Sequence, residues 1–305
     1  MKNTSFLKAH FALFSVNALY GASHIIAKGV MPDFLTPSVF ILFRVVGAVL
    51  LFWLIKFFFI QEKISRKDLF RFAGAGMFGV AVNQMCFFHG LSLSSSINAG
   101  IIMTVNPILV AILSYFILKE RLSVRKSVGI LIGATGAILL TLTAGTGSGD
   151  SILGDFLLFI NATSYALYLV LVKPLMQRYA PLTVITYVFT FGLVYILIYP
   201  PTLTEFFATD FSVFTTAIIL KIVYIVVGVT FLTYLLTVYA LKFLSPSVSS
   251  SYIYLQPVLV MLFAVLFVWL GWSEDYTETI TWKKIFYMLI IFVGVGFVSY
   301  RKKKG

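Results

Sequence analysis

PSVFILFRVVGAVLLFWLI, residues 37–55, holds no acidic residue and a single cation, Arg44. A helix that crosses about 30 Å of hydrocarbon needs about 20 apolar residues, and this run has that length. In lipid every backbone polar group must be satisfied within the segment, so the run reads as a membrane-spanning helix rather than an open strand. Arg44 is the anomaly. A charge near the bilayer centre costs about 2.5–3.5 kcal/mol on insertion scales, so a leucine at that position would be easier to insert.

The rest of the chain is built the same way. Its 305 residues are 60% hydrophobic and 11% charged, with a mean hydropathy of +1.00; soluble domains carry about 25% charged residues. The composition therefore predicts an all-α membrane protein. The net charge of +12 raises the question of nucleic acid, but a nucleic-acid binder gathers its cations on one wetted patch. Here they sit in short clusters between apolar runs, so the expected surroundings are a lipid bilayer and no nucleic acid. Cys86 is the only cysteine, which rules out an intrachain disulfide. The N-terminal stretch starts like a signal peptide, but its apolar run is long and lacks an A-x-A-like site, so it is expected to stay as a first span.

Ten transmembrane helices are expected, at about 9–29, 37–59, 69–91, 97–118, 125–143, 154–174, 181–200, 215–241, 248–270 and 283–300. With the N-terminus inside, 18 of the 23 Lys and Arg residues fall in inside segments. Lys28, Lys221, Lys283 and Lys284 fall outside, and Arg44 lies within a span. The positive-inside rule then predicts a multi-pass protein of the plasma (inner) membrane with both termini cytoplasmic.

The chain also repeats itself. YGASHIIAK (20–28) matches YALYLVLVK (165–173) as Tyr, small residue, six residues, Lys. SSSINAGIIMTVNPILVAIL (94–113) matches LSPSVSSSYIYLQPVLVMLF (244–263), with Asn106-Pro107 over Gln256-Pro257. GATGAILL (133–140) resembles FVGVGFVS (292–299). Each half holds five spans. Five is odd, so the second copy enters the membrane inverted, and the expected domains are 1–145 and 150–305. Inverted repeats are common in secondary transporters, which place the solute site between the repeats near the midplane. No His/Cys metal spacing, paired intramembrane carboxylates or phosphate loop is present in the sequence. No enzyme activity, metal or cofactor is therefore expected.

The stretch GLSLSSSINAGIIMTVNPILVAILSYFILKERLSVRKSVGILIGATGAILL (90–140), together with GDFLLFINATSYALYLVLVK (154–173) and PSVFILFRVVGAV (37–49), resembles the EamA type of the drug/metabolite transporter superfamily. The ninth span departs from that pattern: it ends in WLGWSEDYTETITW, where the fourth ends in LKERLS. The resemblance implies ten helices in two EamA domains, and transport of small metabolites, often export of amino-acid-like compounds. The expected function is alternating-access export of a small-molecule substrate. The alternatives are a channel-like pore and a multispan scaffold that transports nothing.

Several polar residues are candidates for the site. Asn17, Tyr20, His24 and Lys28 step along one face of the first span; the first three either line a cavity or hydrogen bond between helices, and Lys28, nearer the interface, snorkels outward. Gln84 and His89 on the third span, Asn161, Tyr165 and Tyr168 on the sixth, Tyr234 and Tyr239 on the eighth, and Tyr252 and Gln256 on the ninth would make an aromatic cavity with scattered amides. Asn106 precedes Pro107 as Gln256 precedes Pro257. Each proline frees a carbonyl within its helix, which the neighbouring amide could satisfy, and the bend is either static or used in switching. Gly129, Gly133, Gly136, Gly294 and Gly296 suit close helix packing and leave room for a homodimer. Arg44 has no counterpart near Tyr187 in the second half. Either it clamps a substrate carboxylate with its planar fork, or it pairs with Asp33 or snorkels outward. No Asp or Glu lies deep in a span, so proton coupling would fall to His24, His89, Asp155 or the solute.

Overall fold

The computed structural model describes residues 2–27, 30, 34–94, 102–142, 151–271 and 282–299. Lys28, Asp33 and the side chains of His24 and Pro257 lie outside the described residues. Among the described residues the long helices group into ten rods, and a short helix Pro200–Ala208 and a 3-10 turn Phe211–Val213 lie between the seventh and the eighth. α1 is Lys2–Ala27 and α2 is Pro37–Phe59. α3 runs through Arg66–Gly76, a π-helical Met77–Ala81 and Val82–Leu93. α4 is Asn106–Leu118, α5 Val124–Leu142, α6 Ile152–Arg178 and α7 Pro181–Ile198. α8 is Thr216–Phe243, π-helical over Ile225–Leu232. α9 joins Pro246–Ser251, a 3-10 turn Tyr252–Leu255 and Gln256–Trp269, and α10 is Trp282–Ser299.

Local chemistry sets these ends. Thr36 caps α2 by accepting from the Val39 amide, and Pro37 fills the first helical position, where no amide donor is needed. Lys119 ends α4 in the left-handed region at φ 56. Pro181 starts α7 directly after the α6 turn. The rods expose Phe57, Phe58, Phe70, Phe116, Leu131 and Trp269. So many large apolar side chains on the outside would be untenable in water and fit a lipid-facing surface. Among the described residues five helices, α2, α6, α7, α8 and α10, each have both the length and the mean hydropathy of a membrane span.

The packing has an internal two-fold relation. α1 packs on α8 as α6 packs on α3, α1 on α9 as α6 on α4, and α2 on α8 as α7 on α3. The pairs α2–α7, α4–α9 and α5–α10 map onto themselves. Exchanging the first five helices for the last five therefore preserves these neighbour relations, although α6 also packs on α8 without an equally close α1–α3 contact. This is an all-α membrane fold of two inverted five-helix repeats. The π segments obey the same relation: both lie in the third helix of a repeat, around Gly79 and Gly228.

The fourth helix of each repeat is broken, though not at its proline. Before α4, residues 104 and 105 form a turn, and Pro107 sits in the first turn of the helix that follows. There its missing amide hydrogen costs nothing. The 3-10 turn Tyr252–Leu255 likewise precedes Gln256-Pro257. Asn106 does not satisfy a freed carbonyl in its own helix; its Nδ2 donates to Ala162 O on α6 at 2.9 Å. Helix packing brought that carbonyl within reach, which spacing along one helix could not show.

Candidate functional site

The two π segments face the middle of the bundle, and polar side chains from both repeats gather around them. Widening a helical turn leaves backbone carbonyls without their usual partner. Ser164 Oγ of α6 donates to Phe78 O at 2.6 Å, and the Tyr234 hydroxyl of α8 donates to Gly79 O at 3.2 Å. Thr230 Oγ1 donates to Ile225 O, five residues earlier, at 2.9 Å. Each π segment is thus stitched by a side chain from α6 or α8. Gly79 is required sterically, because a Cβ there would come within 2.2 Å of the Tyr168 ring.

Arg44 reaches this centre from α2. Its Nε donates to Thr230 Oγ1 at 2.9 Å. Its guanidinium lies 4.9 Å from the centroid of the Phe88 ring and 5.6 Å from that of Phe40, and such cation–π contacts offset part of its desolvation. Arg44 is 7% exposed, and no carboxylate of the described residues reaches it within ion-pair distance. Around it stand Tyr20 of α1, whose hydroxyl is 3.3 Å from that of Thr233, and Tyr234, stacked edge-on against Phe189 at 4.7 Å. Tyr165 and Tyr168 of α6 complete an aromatic wall, with ring centroids 6.0 Å apart and Tyr168 6.2 Å from Tyr234. Gln84 is buried beside the Tyr234 hydroxyl.

Seven of the residues singled out in the sequence lie elsewhere. Asn161 Nδ2 donates to Asn83 O at 2.7 Å and Asn106 to α6, so both hold helices together. Asn17 Nδ2 donates to Leu13 O of its own helix. His89 sits toward the start of α2, 3.5 Å from Ser38 Oγ and beside Tyr199. The Tyr252 hydroxyl contacts His10 Nδ1 at 2.7 Å between α9 and α1. Tyr239 lines a mainly apolar groove of about 810 Å³ between α1 and α8, with Phe11, Leu236 and Phe263. Gln256 is half-buried at the break in α9. Thr230 and Thr233 escaped the sequence reading. Threonine is unremarkable in a span, and their importance comes from the π register.

A second set of polar contacts ties the repeats at the face that carries connections 60–65, 119–123 and 179–180. Asp68 accepts from Arg178 Nη1 at 3.1 Å, Arg71 Nη1 at 3.2 Å and the Tyr179 hydroxyl at 2.9 Å. Burial pushes the Asp68 carboxyl up. The Tyr179 hydroxyl and the two guanidiniums outweigh that and hold it below its ordinary value. Glu62 accepts from the Ala180 amide at 3.0 Å. Glu120 pairs with Lys126 at 2.7 Å and meets Ser247 Oγ at 3.3 Å. Lys173 Nζ donates to Leu241 O and Leu244 O at the end of α8.

An inverted-repeat bundle with a buried polar cluster at the repeat junction fits a membrane transporter, and comparison with known proteins agrees. The EamA-like transporter family matches over residues 7–142 and 152–300, and the chain belongs to that family. It is 28% identical over 236 residues to the uncharacterized transporter YetK of Bacillus subtilis (strain 168), covering 75% of this chain and 70% of that one. It is 31% identical over 160 residues to the uncharacterized transporter YyaM of the same organism, covering 51% and 52%. A crystal structure of 17% identity shares the fold, with a TM-score of 0.70 over 95% of both chains. The protein is a multi-pass membrane transporter that works in lipid on a small-molecule substrate.

Proposed function

We propose that the protein is a secondary carrier of the plasma membrane that exports small organic metabolites, amino acids and related compounds among them. It works by alternating access between repeats 1–145 and 150–305. The solute sits among Tyr20, Arg44, Gln84, Tyr165, Tyr168 and Tyr234. The observation that carries this reading is the junction itself: side chains of α1, α2, α3, α6 and α8, drawn from both repeats, converge on two π-helical segments. A site shared by both repeats changes exposure when they rock against each other. The basic connections face the cytoplasm, as the positive-inside rule requires. The Asp68 and Glu120 contacts close that side and release when the carrier opens inward.

The test is solute exchange in proteoliposomes. A carrier gives saturable uptake that accelerates when the vesicle is preloaded with the same solute, and Tyr234→Phe and Gln84→Ala slow that exchange. Non-saturating flux without acceleration would mean a pore. Indifference of every solute flux to these substitutions would mean a scaffold.

A further inference from the structure

We infer that the site takes a solute carrying a carboxylate, read by the Nη1/Nη2 end of Arg44, and that Thr230 is the residue that aims it. The inference rests on the carrier reading above and names the substrate class of that site. A guanidinium offers a carboxylate two bidentate edges, Nε with Nη2 or Nη1 with Nη2. The first is taken, because Nε donates to Thr230 Oγ1 at 2.9 Å. The Phe88 and Phe40 rings, whose centroids lie 5.1 Å apart, crowd one side of the guanidinium and leave its far edge clear. What remains is the Nη1/Nη2 edge. Neither Nη has a protein partner among the described residues, and neither is among the fully enclosed polar atoms.

Thr230 is suited to this one task. A hydroxyl has a single proton, and that of Thr230 is committed to Ile225 O. Its oxygen is therefore an acceptor that fixes Nε, and it cannot also donate to a solute. The bond to Ile225 spans five residues, a reach available only because Ile225–Leu232 is π-helical. An unpaired arginine in a membrane core is costly. A bidentate carboxylate supplies the missing charge with two charge-assisted hydrogen bonds. The walls of Tyr20, Tyr165, Tyr168 and Tyr234 suit an apolar, preferably aromatic, body.

The probes are matched acids and amides: phenylacetate with phenylacetamide, and phenylalanine with phenylalaninamide. Binding to purified protein is read by thermal shift, and exchange is read in proteoliposomes. In wild type at least one acid should bind about tenfold more tightly than its amide, the size expected for charged hydrogen bonds. Thr230→Val, which has nearly the same shape, should erase most of that preference, weakening acid binding more than amide binding. Thr230→Ser should restore it, and Arg44→Lys should lose it because the planar fork is gone. The inference is overturned if wild type shows no acid preference, if no probe binds, or if Thr230→Val keeps the wild-type ratio. Saturable exchange of the amides without acid preference would sink this inference and leave the carrier reading standing. Acid-selective binding without exchange of any probe would do the reverse.

Discussion

Gly294→Ala should destabilise the protein where Gly296→Ala, two residues along the same helix, should not. A Cβ built on Gly294 would lie 2.4 Å from Gly133 N, 2.6 Å from Gly133 Cα and 2.8 Å from Gly129 O. All three are backbone atoms of α5, so no side chain can swing aside. Ordinary carbon contacts lie near 3.5 Å, so α5 and α10 would have to part by about 1 Å along their seam. Overpacking of this kind costs about 1–3 kcal/mol. A Cβ on Gly296 meets nothing within 4 Å. Both substitutions gain the same helix propensity, up to about 1 kcal/mol, so their difference isolates the steric term. Thermal unfolding of the two variants in one detergent, followed by helical signal, reads that difference directly. The melting temperature of Gly294→Ala should lie several degrees below that of Gly296→Ala. Equal melting temperatures would show that the seam yields freely and that α5–α10 is not the rigid scaffold of the bundle.

The Asp68 contacts give a pH prediction. The folded carboxyl lies below its ordinary 3.8, so its contribution is present above that value and is lost only as pH falls through the lower folded one. Asp68→Asn should cost about 1–2 kcal/mol, since both arginine partners are half-exposed, and the loss should be constant from pH 5 to 8; a loss that varies across that range would refute the assignment. In a Cys86→Ser background, a cysteine at Glu62 or Leu122 should resist an impermeant maleimide in intact cells while one at Phe207 reacts, and external labelling at Leu122 would overturn the orientation. The Tyr168 hydroxyl is buried without a partner among the described residues, so Tyr168→Phe should leave the melting temperature unchanged or raised while weakening solute binding. A lower melting temperature with normal exchange would make that hydroxyl structural.

Much of this was legible in the sequence because insertion into lipid is a local problem. Apolar run length and the side on which Lys and Arg fall are properties of consecutive residues, so 37–59 is both the expected and the observed extent of α2. The repeats were legible for the same reason. Tyr20 and Tyr165, paired by the Tyr-to-Lys match, both reach the central polar cluster, and so do Gln84 and Tyr234, which share an offset of 150. The glycine reading divided on geometry: Gly129, Gly133, Gly136 and Gly294 are packed, and Gly296 faces open space. Composition alone cannot tell which side of a glycine-patterned helix meets its neighbour.

Arg44 marks the boundary most clearly. The sequence determined that a cation is embedded in the second span and that the inverted copy lacks it. Its contacts followed from how α2 and α8 are rotated against each other and from a π turn that moves Thr230 within 2.9 Å of Nε. A π turn displaces every later side chain on the helix by about one position, and no periodicity in 225–232 announces it. Hydropathy fixes which segments cross the membrane, because each residue meets lipid or avoids it on its own. Side-chain pairing between helices 186 residues apart depends on the joint rotation of packed rods, and only the assembled bundle sets that.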